Sequence, residues 1–462
     1  MSDPPRVAVV GGGVTGLATA WFLRTRAGSR VDVTLLERSE RLGGKVHTGQ
    51  FAGQPLDLGP DTFLARVPWA TELCREVGLE EDLVAPATGR AYVWARGRLR
   101  RLPDGLVLGV PVAFAPLAAS RLLTPKGMAR AALDLVLPAR PLPEDPSVAE
   151  AVGGRLGREA LELLVDPLIG GINAGRSDRL SLAAVAPEVA AASRRRSLIL
   201  GMRAARRSRS SADGPVFLSV SGGLERLVQR LAQLARPDLR LSTDVTAIEI
   251  APDGTFRLGL SPGGSLVADA VVLAVPAFAA ADVLGQASPE AAAELAAIRY
   301  ASVVIATLGY RPADVSHPLD GSGFLVPRTE GRLLAACTWS TSKWPGLRRS
   351  GLVVLRCSAG RDGDDRALQL DDDALGEELH LELTAALGVR GQPVERVVAR
   401  WPRSFPQYEV GHTTRVERIE AALTRLPGLV VAGAAYRGLG LAACVRQAEH
   451  AATAILSRLS VR

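Results

Sequence analysis

Val7-Ala-Val-Val-Gly11-Gly-Gly13-Val-Thr-Gly16-Leu-Ala is the stretch from which the rest of the chain can be read. Four apolar residues run into three glycines, and Leu17, Ala20, Trp21 and Leu23 then recur at helical spacing. The pattern predicts strand, tight turn and helix. In such a unit Gly11 makes the turn, Gly13 admits a pyrophosphate to the backbone, and Gly16 lets the helix pack closely on the strand. The helix start at Val14 and Thr15 then offers free N–H groups to phosphate charge. Val31–Leu36 predicts a second strand ending at Glu37, about 20 residues beyond the last glycine. An acid there accepts hydrogen bonds from ribose hydroxyls and disfavours a 2′-phosphate. GxGxxG alone is common in ordinary turns; here strand, helix, second strand and terminal acid accompany it.

Beyond Glu37 come Arg38, Gly43-Gly44-Lys45 and then Asp57-Leu-Gly59-Pro60-Asp61. A nicotinamide enzyme has no need of the second glycine pair. A cofactor of longer reach does, because more backbone must approach it. These residues resemble the FAD-binding start of the amine oxidase and protoporphyrinogen oxidase superfamily. The resemblance implies non-covalent FAD, with Arg38, Gly43, Gly44, Lys45, Gly59, Pro60 and Asp61 among its contacts.

The 462 residues are 47% hydrophobic and 22% charged, a globular composition too long for one ordinary domain. Cys74, Cys337, Cys357 and Cys444 are scattered, which argues against a disulfide framework or structural zinc and suits a reducing cytosol. The start at Met1 runs straight into the first strand, so no signal peptide is expected. The longest apolar candidate, Leu106–Ala119, is broken by Pro111 and Pro116, so no transmembrane span is expected and only peripheral membrane contact stays open. Net charge is +7, carried almost wholly by arginine. Arginines crowd at 90–101 and at 194–209. Two readings of this bias stand, a GC-rich genome or a carboxylated substrate or anionic surface. Aromatic residues are too few for a base-stacking surface, so nucleic acid is not expected.

Along the chain, residues 91–102 predict a hairpin, 153–164 a helix, and Asp166–Gly175 an apolar, glycine-rich loop. The loop suits either close approach to a flat ligand or helix packing. Arg203–Gly214 reads as a basic loop, 239–250 as a strand, and Asp269–Val275 as a buried parallel strand. Strands and one helix (371–387) between 301 and 401 suit a mixed antiparallel sheet. Leu429–Gly433, the glycines to Gly440 and a following helix can aim a second helix start at the cofactor.

Over residues 6–458 the chain resembles the bacterial porphyrinogen oxidases of heme synthesis. The resemblance rests on Gly59–Leu64, Pro167–Gly175, Arg196–Gly201, Gly323–Pro327, Cys337–Trp344, Pro406–His412 and Tyr436–Gly440. It implies an α/β (overall α+β) fold with three parts. These are a discontinuous Rossmann-like FAD domain (1–88, 215–276, 402–462), a mixed-sheet substrate domain (89–105, 277–401) and a helical insertion (106–214). Val245, Trp401, Gly433, Gly440 and Val445 join the implied cofactor contacts. Gly171, Ala174, Leu325 and Thr338 are the implied walls of a porphyrinogen site, with Arg66, Arg90, Arg96, Arg98 and Arg176 near its mouth for carboxylates. The implied reaction is six-electron oxidation of coproporphyrinogen III to coproporphyrin III, with O2 as acceptor and H2O2 as product. Protoporphyrinogen IX is the alternative substrate, and other heme-pathway enzymes are the implied partners. Pyrrole nitrogens stabilise the cation left by hydride removal, so neither a catalytic base nor a metal is expected. His412 reads as structural. A flavin amine oxidase, with Lys343 holding a water, and a non-enzymatic prenyl-protein carrier are the more distant readings.

Overall fold

The computed structural model describes residues 3–138, 141–208 and 214–460. At its centre lies a parallel sheet of five strands. Their spatial order is Asp238–Arg240, Asp32–Leu36, Arg6–Val10, Ala270–Leu273, Leu429–Val431. Both faces are covered at its centre, which is why Val7–Val10, Ala270–Leu273 and Leu429–Val431 read as continuous apolar runs while the edge strand Asp238–Arg240 does not. Val7 and Val9 face a core built with helices Val14–Ala27, Glu225–Ala235 and Leu441–Arg458. Ala8 and Val10 face the opposite core, with an antiparallel sheet (244–268) and helices Ala277–Leu284, Pro289–Ala296 and His412–Leu423.

The second large sheet has seven strands. Their order is Glu395–Pro406, Tyr300–Tyr310, Val353–Ala359, Leu334–Trp339, Gly323–Leu325, Tyr92–Ala95, Arg98–Arg101. All neighbours are antiparallel except Gly323–Leu325 on Tyr92–Ala95. Helix Asp372–Leu387 covers one face, burying Leu375, Leu379 and Leu383 against Phe324, Cys337, Leu355 and Cys357. Asp371 starts this helix by accepting a bond from the Ala374 N–H. The other face meets the hairpin Thr48–Asp57 through Phe51, Leu56 and Val354, and the helical segment through Val93 and Ala95.

Four expectations need correction. The strand expected at 239–250 is two, parted at Ser242 (φ +49°), whose N–H bonds to Ser39 while Thr243 bonds to Glu37. The helix expected over 153–164 is broken at Gly157 (φ +90°), where a side chain would meet Arg130. The loop expected at 166–175 is helical through Asn173: wide π-type turns carry Leu161–Gly170 past Pro167, and the helix stops at Ala174 with φ +47°. Residues 203–208 of the expected basic loop finish helix Leu198–Ser208, while 209–213 lie outside the described residues. Both helices of 277–298 sit in the core under the parallel sheet.

Candidate active site

The first glycine turn is drawn tight by backbone. The Gly11 N–H donates to Leu36 at 2.8 Å, and a side chain on Gly11 (φ +106°) would lie 2.6 Å from the Ala274 carbonyl. At Gly16 it would lie 1.9 Å from the Gly11 carbonyl, so the helix packs there only as glycine. The second glycine pair docks on the first turn, with the Gly43 N–H donating to the Gly12 carbonyl at 2.8 Å. Glu37 locks the corner: its carboxylate accepts from the Gly12 N–H at 2.7 Å and from Ser39 N and Oγ at 2.9 and 2.6 Å. Val245 is buried beside it, and Arg38 is exposed.

The closing segment converges on the same place. Gly440 starts helix Leu441–Arg458, as Gly13 starts Val14–Ala27; neither start is capped by a side chain, and both glycines face open space. The two helices share one core, in which Val14, Leu17 and Val445 are buried. Val445 therefore joins the helices rather than lining a space. Gly433 (φ +135°) lies against Thr15, and Cys444 is hydrogen-bonded to Thr15. The Tyr408 hydroxyl donates to the Ala434 carbonyl at 2.8 Å and accepts from the Gly438 N–H at 2.9 Å. His412 stacks on Tyr408 at 3.9 Å, and its Nε2 donates to the Tyr436 carbonyl at 2.9 Å. Burial pushes the His412 pKa down to about 4, so the ring is a neutral strut.

Leu58-Gly59-Pro60-Asp61 carries these helix starts toward the seven-stranded sheet. Trp401 Nε1 donates to the Leu58 carbonyl at 2.9 Å, Arg356 donates to the Gly59 carbonyl, and Lys45 donates to the Ser404 carbonyl. A side chain on Gly59 would lie 2.0 Å from the Lys45 carbonyl. Burial alone would push the Asp61 carboxyl up. Lys343 and Arg356 more than reverse this and hold it well below the usual carboxylate range. Lys343 Nζ lies 2.7 Å from Asp61 and is thus committed to a carboxylate. Burial of the Lys45 amine lowers its pKa. Asp57 is pushed up to about 6 by burial, against bonds from Thr48 and the Leu224 N–H.

Beside this loop one face of the seven-stranded sheet is incompletely covered. Leu325, Ala336, Thr338 and Ser358 are only part-buried although they sit mid-sheet, whereas Phe324, Cys337 and Cys357 on the opposite face are buried. Ala174 forms a small cluster with Ala301, Val303, Trp401 and Phe405. It is pinned by the Asp362 N–H, while Gln407 holds the neighbouring Asn173 carbonyl. Expected cofactor and substrate contacts thus meet at Trp401 and Ala174. Gly171 is exposed and open, at the end of the same helical segment.

Of the expected mouth arginines, Arg176 lies two residues beyond Ala174 and is paired with Asp178 at 2.7 Å. Arg90 lies 3.9 Å from Asp320, which accepts from Tyr92; that ring packs on Trp339, on the sheet face away from Thr338. Arg96 is bonded to Glu159, Arg101 to Asp104, and Arg194 to the Glu144 carbonyl. Arg66 is exposed. Among the described residues no helix is long and apolar enough to cross a membrane, and no group of three His, Cys, Asp or Glu is placed to hold a metal.

Residues 14–456 match the family described as flavin containing amine oxidoreductase. The chain belongs to this flavin-containing amine oxidoreductase family. A Bacillus subtilis protein named coproporphyrinogen III oxidase is 34% identical over 471 residues, covering 99% of this chain and 100% of its own. A Mycobacterium leprae protein of the same name is 36% identical over 454 residues, covering 98% of each. The crystal structure of an Exiguobacterium protein, provisionally named a protoporphyrinogen oxidase, superposes with TM-score 0.88 at 34% identity over 100% of both chains.

The observed residues fit the family's flavin. Two uncapped helix starts over open space suit a pyrophosphate, and Glu37 keeps acceptor capacity at the strand end where a ribose would lie. Arg356, 9% exposed, has a buried Nε without a partner. Arg356 escaped the sequence reading, though a lone arginine inside the apolar run Val353–Cys357 was its signal. Gln447 escaped too; it braces Gly433 and Arg437 from the last helix, and nothing in the local pattern marks it.

Proposed function

We propose that this protein is an FAD-dependent oxidase acting on coproporphyrinogen III, with O2 as acceptor and H2O2 and coproporphyrin III as products. The observation carrying the reading is the part-open strip Leu325–Ala336–Thr338–Ser358, set beside the Gly59–Asp61 loop in a chain whose end-to-end relatives bear that enzyme's name. A flat macrocycle needs a wall of thin side chains, which Ala174, Ala336 and Thr338 supply.

Bound flavin supplies the two-electron acceptor for carbon–hydrogen oxidation. Gly11, Gly13, Val14, Thr15 and Gly16 would hold its pyrophosphate side, with Gly433 and Gly440 from the other end of the chain. Glu37 and Val245 would take the ribose side, and Gly43, Gly44, Lys45, Gly59, Pro60, Asp61 and Trp401 the ring side. Neutral His412 is spent on Tyr436 and Lys343 on Asp61, so neither serves as a base or water holder. In this proposal residues 277–298 belong with the cofactor domain. Four unpaired, buried cysteines suit a cytosolic setting.

Acid precipitation should release FAD into the supernatant; flavin retained on the pellet counts against non-covalent binding. Catalytic efficiency on coproporphyrinogen III should exceed that on protoporphyrinogen IX, with the gap narrowing at high salt as carboxylate contacts are screened. Equal turnover of both with no salt effect would favour the dicarboxylate reading.

A further inference from the structure

Arg356 sits mid-strand in Val353–Ala359, on the incompletely covered face and directly opposite Thr338. A guanidinium so buried is ordinarily matched by a carboxylate, because an unpaired buried charge is costly. Here its bonded partner is the Gly59 carbonyl, and Nε has none. The two nearby carboxylates are engaged elsewhere: Asp61 by Lys343 and Trp344, Asp57 by Thr48 and the Leu224 N–H. Both carboxylates feel the Arg356 charge, yet neither bonds the guanidinium. A buried guanidinium held by one carbonyl, with an N–H to spare, has capacity for negative charge that arrives with a ligand.

The geometry points to Arg356 as the residue that sets the electron affinity of the bound flavin. Its charge beneath Gly59, hydrogen-bonded to no carboxylate, stabilises the negative charge that the cofactor gains on reduction. Uptake of two electrons and one proton leaves the cofactor one unit more negative, so a fixed cation favours the reduced form over the oxidised one. The inference rests on the proposed placement of flavin at Gly59–Asp61. If Arg356 were only a strut for the Gly59 carbonyl, it would affect both forms alike.

The test is the two-electron midpoint potential of the flavin-loaded protein, with FAD affinity measured separately by titrating the apo-protein. Arg356→Gln should lower the ratio of reduced to oxidised affinity at least tenfold, a fall of about 30 mV. Arg356→Lys, which keeps the charge, should stay within about threefold of the parent. If R356Q gives no folded protein, Thr338→Asp reads the same property, because a carboxylate opposite Arg356 neutralises it and should lower the potential likewise. An unchanged potential in R356Q or T338D overturns the inference, as does a fall in R356K as large as in R356Q. Failure of the parent protein to bind FAD would instead remove the cofactor reading on which this rests.

Discussion

At the N-terminal unit the glycine turn is tied by backbone, Gly11 to Leu36 and Gly43 to Gly12, and by the single carboxylate of Glu37. At the C-terminal unit, Gly433–Gly440 is tied by side chains from elsewhere: Tyr408 on Ala434 and Gly438, His412 on Tyr436, and Gln447 on Gly433. Both units present an uncapped helix start over open space. The difference is one of bond type, since the sequence separations are alike. A turn braced mainly by backbone is written in its glycines, while a turn braced by side chains is written in residues that look unrelated.

Substitutions can break that contrast in order of effect. Gly16→Val drives a side chain into the Gly11 carbonyl, 1.9 Å from its Cβ position, and should cost more than about 4 kcal/mol. The expected result is insoluble or unfolded protein; a normal thermal unfolding curve would show that the first turn can shift. Tyr408→Phe strands the Ala434 carbonyl and Gly438 N–H and should cost about 3–4 kcal/mol in denaturant unfolding. A loss under about 1 kcal/mol would mean that water replaces the hydroxyl.

The pH dependence of stability sharpens the same comparison. His412 has a folded pKa of about 4 against its ordinary 6.5, so its contribution is full above pH 6.5 and is lost as pH falls through 4. That is about 3 kcal/mol. Asp57, raised from 3.8 to about 6, runs the other way: its contribution is full below 3.8 and is lost as pH rises through 6. The two partly cancel in the parent, so the measurement is the difference from His412→Gln. Unfolding free energy should fall less steeply in the variant as pH is lowered from 6.5 to 4, and parallel curves would contradict a buried neutral ring. The smallest effect belongs to Glu37→Ala, which should weaken FAD binding by about 2 kcal/mol, roughly 30-fold. Unaltered affinity would leave Glu37 with only its Gly12 and Ser39 bonds.

Much of the fold was legible because it is locally encoded. The glycine turn, the buried strand at 270–273 and the Asp371-capped helix each follow from adjacent residues. The helix through Pro167 was not, since proline with Gly170 and Gly171 spells a loop, and only the widened turns carry the chain past it. Nor was the direction of Arg90. Side chains alternate across a strand, so a register slip of one residue exchanges faces, and sequence alone does not show which side of the Arg90–Tyr92 segment lies on the incompletely covered face. Of the cofactor cradle, the motif glycines and Glu37 could be read, while the partner of Gly59 comes from a strand 297 residues away and that of Gly433 is a glutamine inside the last helix.

The shared core of the first and last helices has a consequence for biosynthesis. Leu17, Ala20 and Leu23 are buried in a core that includes Val445, Ala448 and Ile455, near the other end of the chain. At ribosomal rates of about 5–20 residues per second, that apolar face waits on the order of 20–80 s for its partner. Throughout that interval the nascent chain carries an unfinished hydrophobic surface. Yield of folded protein should therefore respond to growth temperature and chaperone supply more than its final stability would suggest, and trimming the last helix should harm production before any chemistry is tested.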